Sequence, residues 1–281
     1  MTPTGDQKHA DRADGGWPVC PGGCRFLPRF QDVEVCMSCG LGRTCYATVP
    51  PEQRNYLGAD QSGAKAARPA RIFDEFMRNL EPGSLLDIGC SDGALLDIAA
   101  AKGWDVLGID PQPESSQRII AADFVSHQFN RRFDLLTMIH SFEHMDDPVA
   151  TLRKCHSLLG PNGRLLIVVP NFGGWWSRTM EGDWQWLNIN DHRYHYTRRA
   201  LERLLGQNEF RIDSCRSYSG FAPSLPEMVL SAKHVFDWPG IRSRLVRSAL
   251  YRLSRLVGII GNPVADFAGQ GAEIEVMARA V

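Results

Sequence analysis

The sequence predicts an α/β fold: a largely parallel sheet with helices on both faces, preceded by a small cysteine-rich module. Three observations predict it. Apolar strand-like runs alternate with helix-like segments from about residue 84 to residue 169, the pattern that builds parallel sheets through helical crossovers. The first of these runs, Leu85-Leu86-Asp87-Ile88, opens directly into Gly89-Cys90-Ser91-Asp92-Gly93 and then a helical pattern from Ala94 to Lys102. Finally, five of the eight cysteines fall between Cys20 and Cys45, a clustering that favours a metal site when no secretion signal accompanies it.

Taken in order, residues 1–16 are polar, lack an apolar signal core and read as a disordered lead-in. Residues 17–60 form a Cys-, Gly- and Pro-rich module with its linker. In it, Cys20-x-x-x-Cys24 and Cys36-x-x-Cys39-Gly40 read as two knuckles whose four thiolates would hold one structural Zn2+. Cys45 is a substitute ligand, and free thiols in a loop are the plain alternative. Ala64 to Leu80 reads as a helix with Ile72, Phe73, Phe76, Met77 and Leu80 on one face, broken by Pro82-Gly83.

Strands are expected at Ser84–Ile88, Asp105–Ile109, around Phe124–Val125, at Phe133–Ile139 and at Gly163–Val169, with helices near 93–102, 112–121 and 147–159. Asp147-Pro148 suits the start of the last helix, and Gly160-Pro161-Asn162-Gly163 its end. Residues 170–196 read as a long loop carrying Trp175, Trp176, Trp184 and Trp186. Thr197 then caps a helix to about Leu205, followed by a strand near 209–217, a helical insertion over about 221–267 and an alternating closing strand, Ala272–Ala280.

A strand, a glycine turn, a helix and a second strand ending in Asp110 form a device for holding a nucleoside. Neither a GxGxxG nor a Gly-Lys-Ser/Thr phosphate loop is present, so a ligand without a pyrophosphate is expected. Asp87-x-Gly89-x-x-x-Gly93 resembles motif I of the class I S-adenosylmethionine-dependent methyltransferases, and Asp110 resembles their second-strand acid. Ser91 departs from the pattern, standing where many relatives have a third glycine. The resemblance implies a Rossmann-like seven-stranded sheet with the last strand antiparallel, and the chain can be laid on that order from about Ala64 to Val281, as a methyltransferase domain over 61–281.

It also implies a cofactor, S-adenosylmethionine, and residues to hold it. Gly89, Cys90 and Gly93 would line its amino acid end, Asp87 would orient the turn or the ammonium group, and Asp110 would take the ribose hydroxyls. Pro111 and Asp123-Phe124 would meet the adenine, and His140 would border the methyl-donor end through its backbone. Asp134 reads as a solvent-facing start to its strand, and Cys90, Cys155 and Cys215 as buried side chains.

Two polar segments are candidates for the chemistry. Glu143-His144, in a run similar to the "EH…DP" segment of small-molecule methyltransferases, could take a proton from the acceptor or fix the loop through hydrogen bonds. His192 and His195, three residues apart, resemble the family's "H-x-x-H" segment. They could reach the pocket or anchor a loop of packed aromatics; a metal lacks an evident third ligand within that run. The tryptophans suit an acceptor lid facing ring-shaped molecules, or a loop core.

A formal net charge of −1 and no basic patch in 17–50 argue against nucleic acid. No run of 18 apolar residues is present, so no membrane span is expected and a cytoplasmic protein is. Residues 242–260 form a basic amphipathic helix, with Arg244, Arg247, Arg252 and Arg255 opposite a leucine-rich face. It suits a lid or partner contact, or a membrane surface or lipid-linked acceptor. The pairing of a cysteine module with this domain resembles the biosynthetic and sugar methyltransferase subfamily. Methyl transfer to a small-molecule or saccharide acceptor is therefore expected; a zinc-module-assisted RNA methyltransferase and a cofactor-binding homologue without turnover are the alternatives.

Overall fold

The computed structural model describes residues 25–30, 32–45, 62–113, 117–220 and 261–281. Three short strands come first: β1 (Phe26–Phe30), β2 (Val33–Cys36) and β3 (Gly42–Thr44). Helix α1 (Ser62–Ile72) continues into a π-helical turn over Phe73–Met77. The alternating region then runs β4 (Ser84–Ile88), α2 (Ala94–Ala100), β5 (Asp105–Asp110), β6 (Ile119–Ala121), β7 (Phe133–Ile139), α3 (Pro148–Leu158) and β8 (Leu159–Pro170). The chain finishes through α4 (Trp175–Met180), β9 (Tyr194–His195), α5 (Arg198–Gln207), β10 (Phe210–Tyr218), a helical turn over 261–267 and β11 (Glu273–Ala280).

Seven strands form the main sheet in the order β10-β11-β8-β7-β4-β5-β6. β6, β5, β4, β7 and β8 run parallel, and β11 pairs antiparallel with both β8 and β10. The central strands are buried on both faces, as continuous apolar sequence requires. Leu85, Leu135, Leu166, Val168 and Met277 meet α1 and α2 through Ile72, Met77, Leu95 and Ala99. Leu86, Leu136, Ile167, Ile274 and Val276 meet α3 and α5 through Leu152, Cys155, Leu201 and Leu204. Asp147 caps α3, accepting from Val149 N at 3.0 Å and Ala150 N at 2.9 Å, and Thr197 caps α5 from Ala200 N at 3.2 Å.

The third parallel strand differs from expectation. It is Ile119–Ala121, while Phe124 and Val125 lie in turns, and no helix spans 112–121 among the described residues. Ile119 and Ile120 are β-branched and favour a strand, and the open edge of β5 takes them in register. Phe124, which looked strand-like by its hydrophobicity, is a buried core anchor instead. The expected loop over 170–196 holds α4, two 3-10 turns and β9, and β8 reaches back to Leu159. Of the expected insertion, 221–260 lies outside the described residues, and with it the basic stretch 242–260. Among the described residues, no helix is long and apolar enough to cross a membrane.

A second sheet, β1-β2-β3-β9, joins the N-terminal strands to the segment that follows α4. Gly42 pairs with His195 and Arg43 with Tyr194. Cys36, Cys39 and Leu41 are buried within the same cluster as α3 and α5, so this small module borrows the main domain's core.

α1 is tied to β11 by ion pairs out of water. Arg68 meets Glu273 at 2.8 Å, and Glu275, fully buried, is paired with Arg71 and, at 2.8 Å, with Arg216 of β10. Without Glu275, Arg71 and Arg216 would keep Glu75, and Arg71 the more distant Glu273, but the buried end of the set would lose its acid. Glu275→Ala is expected to lower the unfolding free energy by about 3 kcal/mol, measured by urea denaturation.

Candidate functional site

The turn after β4 is shaped by left-handed backbone. Gly89, Ser91 and Gly93 have φ of 76°, 50° and 79°. A Cβ at Gly89 would lie 2.4 Å from Ser141 Cβ, so only glycine fits there. Ser91 takes the left-handed conformation with a side chain, which costs roughly 1–2 kcal/mol, and Asp110 helps hold it. One Asp110 oxygen accepts from Ser91 N at 2.9 Å and the other from Gln112 N at 2.8 Å. A carboxylate with two such bonds still has lone pairs to offer. β4 and β5 thus present a glycine cradle and an acid side by side, at the carboxyl edge where α/β sheets bind ligands.

Asp87 lies beneath this turn, buried, and accepts from Thr137 Oγ1 at 2.6 Å. Burial pushes its pKa up to about 7, the charges of Asp110 and Asp92 add to this, and the Thr137 bond opposes it. A cationic ligand group would draw this carboxyl into its charged form. Pro111 and Asp123 are exposed, and Asp123 accepts from Ser126 N at 2.8 Å. Phe124 is buried. The Cys90 side chain points into the core, since a Cβ at Gly108 would lie 2.5 Å from its Sγ; only its backbone belongs to the turn. Asp134 accepts from Ser84 N at 2.8 Å and so fixes strand starts.

Beyond β7 a second group of polar side chains converges. His140 leaves the strand with φ 52° and bonds through its N–H to Val168 O at 2.8 Å. Its ring lies 3.4 Å from Glu143 Oε1 and 3.1 Å from Glu273 Oε1. Glu143, 1% exposed, follows on a 3-10 turn, and neither of its oxygens has a hydrogen-bond partner among the described residues. His144 Nδ1 sits 3.2 Å from the Asp191 carbonyl and 3.3 Å from its carboxylate. His192 Nδ1 lies 3.0 Å from Trp186 O, and its Nε2 lies 3.9 Å from Glu143 Oε1. The loop from residue 188 to 195 is fastened to the Glu143 turn by Arg193 N–H to Glu143 O at 2.9 Å and by Arg193 to Asp146 at 2.6 Å.

The charges follow from these contacts. Burial opposes ionisation of Glu143, but His140 at close range, with His144 and His192, outweighs it and brings the pKa to about 2. Burial also opposes the charged form of His144, and Asp191 and Glu143 overcome it, raising its pKa to about 9. His192 falls to about 4 and His195 to about 3, each chiefly through burial. For His140, burial and Arg68 work against the charge while Glu273 and Glu143 favour it, and the pKa rises. Near neutral pH the cluster holds the Glu143 carboxylate, the His144 imidazolium and neutral His192 and His195, with His140 shifted toward its charged form. Because a carbonyl can only accept, Trp186 O fixes the proton of neutral His192 on Nδ1. The Nε2 lone pair then faces the Glu143 carboxylate at 3.9 Å. One oxygen of Glu143 and one nitrogen each of His144 and His192 lie within 4.8 Å of one another.

Glu143, His144, His192 and His195, expected from sequence as candidates, are thus brought together. Asp191, the first residue of the second polar segment, joins them, and Glu273 and Arg68, which were not foreseen, complete the cluster. The alternating acids of β11 were the available signal for Glu273, but which face was buried was not in the pattern. Trp184 and Trp186 are buried against Phe172 and Val33, whereas Trp175 is half-exposed and stacks on Trp176. In the cysteine module, Cys36 and Cys39 are buried side by side. Burial opposes the Cys36 thiolate, but bonds from Ser38 and Cys39 outweigh it and lower the pKa. Gly40, at φ 77°, closes this knuckle through its N–H to Cys36 O at 2.9 Å. Cys20 and Cys24 lie outside the described residues.

The strand order, with its antiparallel closing pair, and the glycine cradle flanked by Asp110 define a class I S-adenosylmethionine-dependent methyltransferase domain. The profile of the methyltransferase domain family matches residues 61–214, and the chain belongs to that family. Over 102 residues it is 32% identical to a ubiquinone biosynthesis O-methyltransferase of Pseudomonas aeruginosa, covering 31% of this chain and 44% of that one. A protein of the same description from Acinetobacter baumannii is 29% identical over 121 residues, covering 37% and 51%. The chain therefore spans about half the length of these curated relatives. The crystal structure of a SAM dependent methyltransferase from Archaeoglobus fulgidus shares the fold, with a TM-score of 0.51 at 18% identity over 78% of this chain and 94% of that one.

The Asp87 environment gives a pH test. With its folded pKa raised to about 7, the ligand-free protein favours the neutral acid, and this contribution to stability is lost as pH rises toward that value. A cationic ligand favours the carboxylate. S-adenosylmethionine affinity is expected to rise several-fold from pH 5.5 to pH 7.5 by calorimetry, with a flatter dependence in Asp87→Asn.

Proposed function

We propose that the protein transfers a methyl group from S-adenosylmethionine to a hydroxyl of a small, ring-bearing acceptor. The observation that carries this reading is neutral His192, whose Nε2 lone pair lies 3.9 Å across a buried gap from Glu143 Oε1. A hydroxyl reaching Nε2 beside that carboxylate donates its single proton to the histidine. The relatives named as O-methyltransferases support oxygen as the methylated atom.

In this reading Gly89, Gly93 and the backbone of Cys90 hold the amino acid end of the cofactor, Asp87 faces its charge, and Asp110 takes the ribose hydroxyls. Pro111, Asp123 and Phe124 border the adenine. When bound, the cofactor supplies an electrophilic methyl on a sulfonium, so the chain's own task is alignment and proton removal. Neutral His192 accepts the hydroxyl proton at Nε2, and Glu143 stabilises the resulting imidazolium. His144, held charged by Asp191, steadies the developing oxyanion. Trp186, whose ring meets His140 edge-on at 5.4 Å, closes the site against water. In the cysteine module, Cys36 and Cys39 supply two thiolates to a structural zinc, with Cys20 and Cys24 as the other pair; metal analysis is expected to find about one zinc per chain.

A second reading places a divalent cation in the same gap, since Glu143, His144 and His192 offer three donors within 4.8 Å. The hydroxyl would then bind the cation as its alkoxide or phenolate.

A screen of phenols for S-adenosylhomocysteine release tests the function. No release on any of them, or unchanged cofactor binding in Asp110→Ala, would sink it. His192→Ala is expected to lower kcat by about 100-fold or more while cofactor binding persists. Activity surviving a chelator supports the histidine base; activity lost to the chelator and restored by magnesium or zinc supports the cation.

A further inference from the structure

Thr44 belongs to β3, in the N-terminal module, yet its side chain is buried against the histidine cluster. Its Oγ1 donates to the His192 carbonyl at 2.7 Å and lies 2.9 Å from His195 Nε2. A threonine hydroxyl has one proton. The carbonyl can only accept, so that proton is committed to His192 O. The second contact must then run the other way, from His195 Nε2–H to Oγ1. This fixes His195 as the Nε2–H tautomer and leaves its lone pair on Nδ1.

The backbone reinforces the side chain. Thr44 N–H donates to Arg193 O at 3.1 Å, and Gly42 pairs with His195. A Cβ at Gly42 would lie 2.9 Å from His195 Cβ and 2.9 Å from Phe172 Cε1. The Phe172 ring centre stands 5.3 Å from that of His195. The histidine is therefore packed closely by Gly42 and Phe172, with its ring held by one hydroxyl. The same module is tied to the next helix by Thr197 Oγ1 donating to Cys39 O at 2.8 Å.

We propose that Thr44 is a positioning residue for methyl transfer: it sets the tautomer of His195 and, through the His192 carbonyl, the placement of His192 opposite Glu143. The cysteine module is then part of the acceptor side of the site. This rests on the reading of Glu143 and His192 as the acceptor's site.

The test compares Thr44→Val, which keeps the shape and loses the hydroxyl, with Thr44→Ser, which keeps the hydroxyl. Long-range proton–nitrogen NMR of the full chain with S-adenosylhomocysteine bound reads the histidine tautomers directly. His195 is expected as Nε2–H in the parent and in Thr44→Ser, and as a mixture in Thr44→Val. With catechol as acceptor probe, Thr44→Val is expected to lose on the order of 10- to 100-fold in kcat, with S-adenosylhomocysteine affinity kept within about twofold and Thr44→Ser restored. Gly42→Ala, which displaces His195 without touching the hydroxyl, is expected to lose kcat as well, and decides the matter if Thr44→Val does not fold. An Nδ1–H tautomer in the parent overturns the proposal, as does parental turnover in Thr44→Val or, where that variant does not fold, in Gly42→Ala. If the parent itself turns over no phenol, the function is what fails, and the NMR result still decides the role of Thr44 in the cluster.

Discussion

A carboxylate taken out of water has to be compensated, and Glu143 is 1% exposed. Neither oxygen finds a hydrogen bond among the described residues, so charge at close range does the compensating. His140 does this from the same loop, three residues earlier, and is itself held by Glu273 on β11. Glu273 in turn is held by Arg68 of α1. A chain of paired ionisable groups thus runs from α1 through the closing strand to the end of β7. The antiparallel β11 matters for this reason: inserted between β8 and β10, it carries Glu273 and Glu275 to the face where α1 packs, and α1 is clamped there.

The same carboxylate divides the histidines around it. His144, hydrogen-bonded to Asp191, keeps its proton to a pKa of about 9, while burial outweighs the nearby carboxylates at His192 and His195 and they lose theirs. Side chains of one type thus take opposite roles because their neighbours differ. Neutral His192 keeps an Nε2 lone pair 3.9 Å from a charged carboxylate, while His144 beside it carries a proton.

Pairing of β3 with β9 changes the meaning of the N-terminal strands. A three-stranded piece of so few residues cannot bury a core alone. Here Cys36, Cys39 and Leu41 enter the core shared with α3 and α5, and Gly42 and Thr44 reach the histidines. Stability of the module and geometry of the site are thereby one problem, since β9 cannot shift without breaking both sheet pairing and the Thr44 bonds.

Local pattern determined a good deal. The apolar runs of β4 and β7, the caps Asp147 and Thr197, and the alternation of β11 each follow from a few neighbouring residues, and the sequence located them closely. So did Gly89 and Gly93, because a left-handed turn leaves its mark in the residue type itself. The third strand was misplaced because Phe124 and Ile120 carry similar hydrophobicity, and only the edge of β5 chooses between them. The sequence by itself thus determined the central strands of the sheet, the glycine turn and the two histidine segments, all matters of short-range periodicity and residue type. Only the tertiary structure decided that Thr44, Glu143, His192 and Glu273 share one buried cluster. Contacts between residues 148 and 151 positions apart are set by packing of whole layers, and no local pattern encodes them.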